Sequence, residues 1–254
     1  MGVETKMKNK LILFLLAMLN CFCVYSGTIP FVTTWNTTNE GVSNNNQIII
    51  PTHPDETYNY TVVWGDGTSD ANVTGNITHT YDTEGQYQIE ITGLFPRIYF
   101  NNEGDALKII SIDAWGNNQW SSMENAFDGC GSLFGRYSDA PDLSEVTTMS
   151  AMFRLAVNFN GTVNDWDVSK VTNMSQLFEN AISFNQPIGN WDVGLVTDMS
   201  FMFNNFNENT IRETRDPIPG TTFFNLTREV FVTGVFNQDI SCLLYTSPSP
   251  RDRG

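Results

Sequence analysis

His53, His79 and Cys130 are, beside plentiful carboxylates of which no pair is singled out, the residues between the two chain ends whose types offer general acid–base, nucleophilic or metal chemistry. A catalytic triad or a tetrahedral zinc site needs imidazole beside its partners, and both imidazoles lie before residue 95. The chain carries no Gly-x-Ser-x-Gly, no phosphate-binding glycine loop and no His-Glu-x-x-His. Cys130 falls on an apolar position of a repeat, which reads as a buried structural thiol rather than a nucleophile. His79, beside an expected strand, reads as a structural hydrogen-bonding group, and Asp66, between Gly65 and Gly67, as turn chemistry. Carboxylates abound, yet no segment alternates oxygen ligands as a calcium loop does; calcium binding by the Asp-rich turns is the alternative reading. The expectation is therefore no catalytic residue, no cofactor and no metal. Recognition is a different chemistry. Arg212, Arg215 and Arg228 are three of only 13 basic residues in a chain with 28 acidic ones, and Phe223 and Phe224 lie among them. Arginine with aromatics is the usual make-up of interface hot spots, so these five are the candidate ligand contacts.

The ends of the chain are set apart from the fold. Lys6, Lys8 and Lys10 precede the apolar run Leu11–Leu19, which is too short to span a bilayer. Val24 and Ser26 are small residues at signal-peptidase spacing, so residues 1–26 read as a secretory signal peptide, with Met7 an alternative start. Cys21 offers a lipoprotein anchor as the alternative, although Asn20 before it fits poorly. At the other end, Cys242–Asp252 matches the translation of a common transposon-based sequencing adapter. Residues 242–254 are expected to be that artefact, and the natural gene to continue past Ser241. No transmembrane segment is expected in the mature chain.

The net charge of −15 repels phosphate backbones and anionic membranes, which argues against nucleic acid as a partner. Removing the two ends leaves Cys130 without another cysteine, so no disulfide framework is expected despite the oxidising destination.

Residues 27–94 read as short strands: 47–50, 59–64, 76–81 and 87–92, separated by turn-forming residues. Tyr87, Ile89 and Ile91 alternate with Gln88 and Glu90, as a strand with one buried face should. Gly65-Asp66-Gly67 supplies the positive φ angles of a tight hairpin. Trp64-Gly65-Asp66-Gly67-Thr68, His79-Thr80-Tyr81 and Gly85-Gln86-Tyr87 together resemble the PKD domain, an immunoglobulin-like extracellular β-sandwich. The family usually has two more residues between the aromatic and Gly-Asp-Gly, which makes this segment PKD-like. The resemblance implies a spacer or interaction module.

Residues 95–241 contain an internal repeat of 25 positions. Asp142, Asp167 and Asp192 mark it, with Val146, Val171 and Val196, Met149, Met174 and Met199, and Phe153, Phe178 and Phe203. Met123, Phe127 and Cys130 belong to an earlier, diverged copy. Within one copy Val171, Met174, Leu177, Phe178 and Ala181 form a single stripe, which predicts a short helix or 3₁₀-like turn. Phe184, Ile188, Trp191 and Val193 suit an extended stretch packing on it. Stacked copies give a solenoid, and the Asn after each Phe, Asn160 and Asn185, suggests an amide ladder. The expected fold is β-rich: a small PKD-like β-sandwich followed by a leucine-rich-repeat-like α/β solenoid.

Met123-Glu124-Asn125-Ala126-Phe127-Asp128-Gly129-Cys130 and the repeated Trp-Asp-Val-Ser-x-Val-Thr-x-Met-Ser-x-x-Phe resemble BspA-like leucine-rich-repeat surface proteins. The same unit occurs in a class of mycoplasma surface lipoproteins. The resemblance covers residues 105–203 and resumes at 235–240. It implies an exported bacterial cell-surface protein that adheres to extracellular proteins or glycans, and it carries over no catalytic residue. The step from Phe203 to the matching Phe236 takes 33 positions where Phe178 to Phe184 takes six, so 204–233 is an inserted loop or a decayed repeat. The competing function is a non-catalytic targeting or spacer region of a larger secreted enzyme or envelope protein.

Overall fold

The computed structural model describes residues 27–205 and the backbone of 216–217 and 224–225. Strand β1 (Phe31–Asn36) turns Phe31, Thr33 and Trp35 inward, the period-two pattern of a strand with one buried face. It is followed by β2 (Gln47–Ile50), β3 (Asn59–Val63), β4 (Ser69–Val73), β5 (Ile77–Thr80) and β6 (Gln86–Leu94). Further along come β7 (Ile109–Ala114) and β8 (Phe134–Gly135), then the two-residue strands β9 (Asp216–Pro217) and β10 (Phe224–Asn225). A six-stranded sheet runs β4-β3-β6-β1-β7-β8, while β2 pairs with β5 and β9 with β10. The 94/95 point separating the two expected parts falls inside this sheet, because β7 pairs antiparallel with β1. One cluster of buried residues likewise runs from Phe31 and Trp35 through Trp115 and Trp120 to Phe203.

The protein is β-rich, and no helix occurs among the described residues, so the α of the expected α/β solenoid is corrected. Val171, Met174, Leu177, Phe178 and Ala181 are all buried, as the stripe required, but their backbone is a run of overlapping turns. One coil earlier, Met152 N donates to Met149 O at 3.1 Å, Arg154 N to Ala151 O at 3.2 Å and Ala156 N to Phe153 O at 3.1 Å. The amides between them donate across to the next coil: Ala151 N to Ser175 O and Phe153 N to Leu177 O, both at 2.9 Å, and Leu155 N to Glu179 O at 2.8 Å. The pattern repeats from Gln176 N to Ser200 O at 2.8 Å and from Phe178 N to Met202 O at 2.9 Å. A helix would keep every one of these bonds within its own coil. Here the neighbouring coil offers carbonyls in register, and Ala151, Leu155, Gln176 and Asn180 adopt φ of 53°, 59°, 59° and 57° to aim alternate amides at them.

The side chains stack along the same axis. Phe127, Phe153, Phe178 and Phe203 lie ring over ring at 5.6, 5.8 and 5.7 Å. Phe159 and Phe184 make a second column at 6.2 Å. The columns touch where Phe153 meets Phe159 at 3.8 Å and Phe178 meets Phe184 at 3.7 Å. Turns close at the repeated aspartates: Ser144 N, Ser169 N and Gly194 N donate to Asp142, Asp167 and Asp192. At the expected Asn ladder, Asn160 Oδ1 accepts from the backbone N of Asn185 at 2.8 Å, so this side chain satisfies a backbone group of the next coil.

Candidate functional site

Of the five candidate ligand contacts, Arg212, Arg215, Phe223 and Arg228 lie outside the described residues, and Phe224 is described only by its backbone pairing with Pro217 in β10 and β9. The remaining candidates are placed. Gly65 and Gly67, with φ of 79° and 91°, carry the turn between β3 and β4. Asp66 closes it by accepting from Thr68 N at 2.9 Å and Thr68 Oγ1 at 2.6 Å. Its other oxygen lies 2.8 Å from His79 Nε2. The His79 ring lies flat on Trp64 at 4.5 Å and meets Tyr81 edge-on at 4.5 Å, while Tyr81 Oη donates to Trp64 O at 3.0 Å. Slight burial alone would raise the Asp66 carboxyl, but bonds from Thr68 and His79 outweigh it and hold it at about 2. The dyad ties β5 to the β3–β4 turn; among the described residues the only hydrogen bond His79 makes through its side chain is the one to Asp66.

His53 meets Tyr99 edge-on at 4.6 Å and accepts from Asp55 N at 3.2 Å through Nδ1. Its own amide donates to Tyr58 Oη, which donates to Arg97 O at 2.9 Å; burial first pushes the Tyr58 phenol up to about 12. Cys130 is fully buried, and burial, with the Asp128 carboxylate beside it, drives its thiol well up, away from thiolate chemistry. Among the described residues no group of three or more His, Cys, Asp or Glu side chains is placed to hold a metal ion. No helix there is long and apolar enough to cross a membrane.

One concave feature was missed by the sequence reading. The loop between β1 and β2 folds over the coil ahead of β7 and leaves an open groove of about 330 Å³, lined by Glu40, Val42, Glu103, Ala106, Leu107 and Gly129 among others. Two buried charges hold the loop there. Asp105 accepts from Ser43 N at 3.0 Å, Ser43 Oγ at 2.6 Å and Ile49 N at 2.9 Å. Lys108 Nζ lies 3.1 Å from Ser43 O, 2.7 Å from Ser43 Oγ, 2.8 Å from Asn44 O and 3.0 Å from Gln47 O. Asn39 Nδ2 adds a bond to Leu107 O at 2.8 Å. Gly41 lets the loop come this close, because a Cβ there would run into the Asp105 carboxylate and Lys108 Cε. Nothing local marks the groove in the sequence: its walls come from segments some 60 positions apart, joined by the pairing of β1 with β7 and by the long-range bonds of Asn39, Asp105 and Lys108.

No curated protein and no solved structure matches the chain. Residues 108–215, a stretch that includes the described stacked coils and begins at the buried lysine beneath the groove, are similar to the family described as Mycoplasma protein of unknown function, DUF285.

Proposed function

We propose that this is an exported bacterial cell-surface protein that binds extracellular proteins or glycans and catalyses no reaction. In this reading residues 27–94 are a PKD-like sandwich and residues 95–241 a leucine-rich-repeat-like solenoid, with no helix among the described residues. The observation that carries it is the transfer of backbone hydrogen bonds from each coil to the next, as from Phe153 to Leu177 and from Phe178 to Met202. A stack built this way lengthens by adding coils and presents long faces, which suits recognition better than a closed catalytic cleft. The similarity to a family of mycoplasma proteins is compatible with a surface location. Arg212, Arg215, Phe223, Phe224 and Arg228 remain proposed contacts on the excursion.

The test is surface labelling of intact cells with an antibody to the chain, alongside binding of the purified chain to immobilised matrix proteins and glycans. Labelling without permeabilisation and saturable binding are expected, with binding reduced when 207–233 are excised. A chain found only after lysis overturns the reading. Continuation of the source gene into a hydrolase domain shifts it to a targeting region.

A further inference from the structure

We infer that the groove between the β1–β2 loop and the coil before β7 takes a lysine- or arginine-bearing segment of a partner protein. The inference rests on the proposed binding role and gives it a site. Three features of the groove point the same way. Its wall is apolar and open: Val42 is 71% exposed and Leu107 37%, with Ala106 buried between the walls. Large aliphatic side chains turned to water beside one another mark contact surfaces more often than scattered single ones do. The apolar strip continues past the groove. A Cβ on Gly131 would lie 3.3 Å from Leu107 Cδ2, and Val157 and Ile182 occupy the same position as Gly131 on the next two coils. Ile182 is 44% exposed.

The rim supplies the sign of the charge. Glu40 and Glu103 are exposed, and no basic side chain is among the lining residues. Lys108, directly below, has its ammonium turned into Ser43, Asn44 and Gln47 and is consumed by the loop. A lysine or arginine side chain is built for this combination, with an alkyl stem for Val42 and Leu107 and a cation for Glu40 and Glu103. A second copy of this chain, at a net charge of −15, is a poor occupant. The groove is also preformed. Asp105 and Lys108 fix the loop through buried bonds, so little ordering accompanies binding.

The probe is the peptide acetyl-Lys-Leu-Lys-Leu-Lys-amide, titrated into the whole chain while the methyl resonances of Val42, Ala106 and Leu107 are followed by NMR. The expected result is a saturable shift confined to these methyls. Neutralising the rim with Glu40→Gln and Glu103→Gln together should weaken binding about tenfold, the sum of two exposed ion pairs of ordinary strength. Both residues are exposed and neither holds the loop, so the variant should keep the parent spectrum elsewhere. The inference is overturned if acetyl-Glu-Leu-Glu-Leu-Glu-amide shifts the same methyls as strongly, if the double variant binds equally well, or if no saturable shift is seen. A silent groove on a protein that labels at the cell surface sinks only this inference. An occupied groove on a protein confined to the cytosol sinks the surface reading instead.

Discussion

Arg154 reaches back one coil to Asp128 through two hydrogen bonds, Nε to Oδ1 at 3.0 Å and Nη2 to Oδ2 at 2.6 Å. Glu179 occupies the same position one coil on, and Asn204 the next, where its Nδ2 donates to Glu179 Oε1 at 3.1 Å. Acid, base, acid and amide thus alternate down one column of an otherwise apolar stack. Burial pushes the Asp128 carboxyl up despite the bonds from Arg154, so its charge depends on that guanidinium. Such a column also opposes slippage by one coil, which would separate these partners.

Arg154→Met should therefore destabilise the protein by about 3 kcal/mol, the lower end for stranding a buried charge, because the Arg154 side chain is itself 32% exposed. Adding Asp128→Asn should recover most of the loss, since a buried amide needs no counter-ion. Urea melts of the single and double variants measure both; purely additive losses would show that the pair is not coupled.

A second expectation separates turns from helix at one residue. Ala151 is buried with φ of 53°, a conformation that costs an alanine about 1 kcal/mol and a glycine almost nothing. Ala151→Gly should thus leave thermal stability unchanged or slightly raised. In a helix interior the same change would cost about 1 kcal/mol. A fall of that size would restore the helical reading.

That residue also shows how far the sequence could be read. Burial was legible: the stripe from Val171 to Ala181 and the extended residues Phe184, Ile188, Trp191 and Val193 are all in the core. Backbone was legible only as a short helix or a 3₁₀-like turn: the i→i+3 bonds such as Met152 N to Met149 O belong to the turn, and the choice between the two depends on carbonyls 25 positions away. Among residues 27–94 the strand expected at 47–50 is β2, those expected at 59–64 and 76–81 overrun β3 by one residue and β5 by one at each end, and the one at 87–92 starts one residue late and stops two short of β6. β1 alternates plainly and was passed over, whereas β4 exposes Ser69 to Asn72 and offers no apolar pattern to read. The groove escaped for a third reason. Glu40, Val42, Glu103 and Leu107 are unremarkable singly and become a site only through the long-range bonds of Asp105 and Lys108.

Those bonds give the third prediction. Lys108→Met keeps the buried stem but removes the ammonium from four oxygens; Asn44 O keeps its bond from Gln47 N and Gln47 O its bond from Ser43 Oγ, while Ser43 O is left without a donor among the described residues. A loss of about 3 kcal/mol is expected, as for a buried acceptor left unpaired. Hydrogen exchange should localise it: the amides of Ser43 and Ile49, both bonded to Asp105, should exchange faster, while Phe178 N in the coil stack keeps its protection. Uniform acceleration across the chain would mean that Lys108 supports the whole fold rather than the loop.

The fourth concerns acid. Asp66 is held from an ordinary value of 3.8 down to about 2, so the folded state releases its proton more readily than the unfolded chain does. A depressed carboxyl gives stability that is fully present above its unfolded value and is lost as the pH falls through its folded value. The window here therefore runs from about 4 down to about 2. Asp66→Asn isolates the charge, because an asparagine Oδ1 can still accept from Thr68 N and keep the turn closed. Urea melts of both proteins at the two ends of this window cancel the carboxylates they share. The parent should lose more stability than Asp66→Asn between them, and the stacking of His79 on Trp64 offers a local reporter through indole fluorescence. Equal losses would show that the pairing of Asp66 with His79 contributes nothing in solution, and the β5-to-turn tie would then rest on the stacked rings alone.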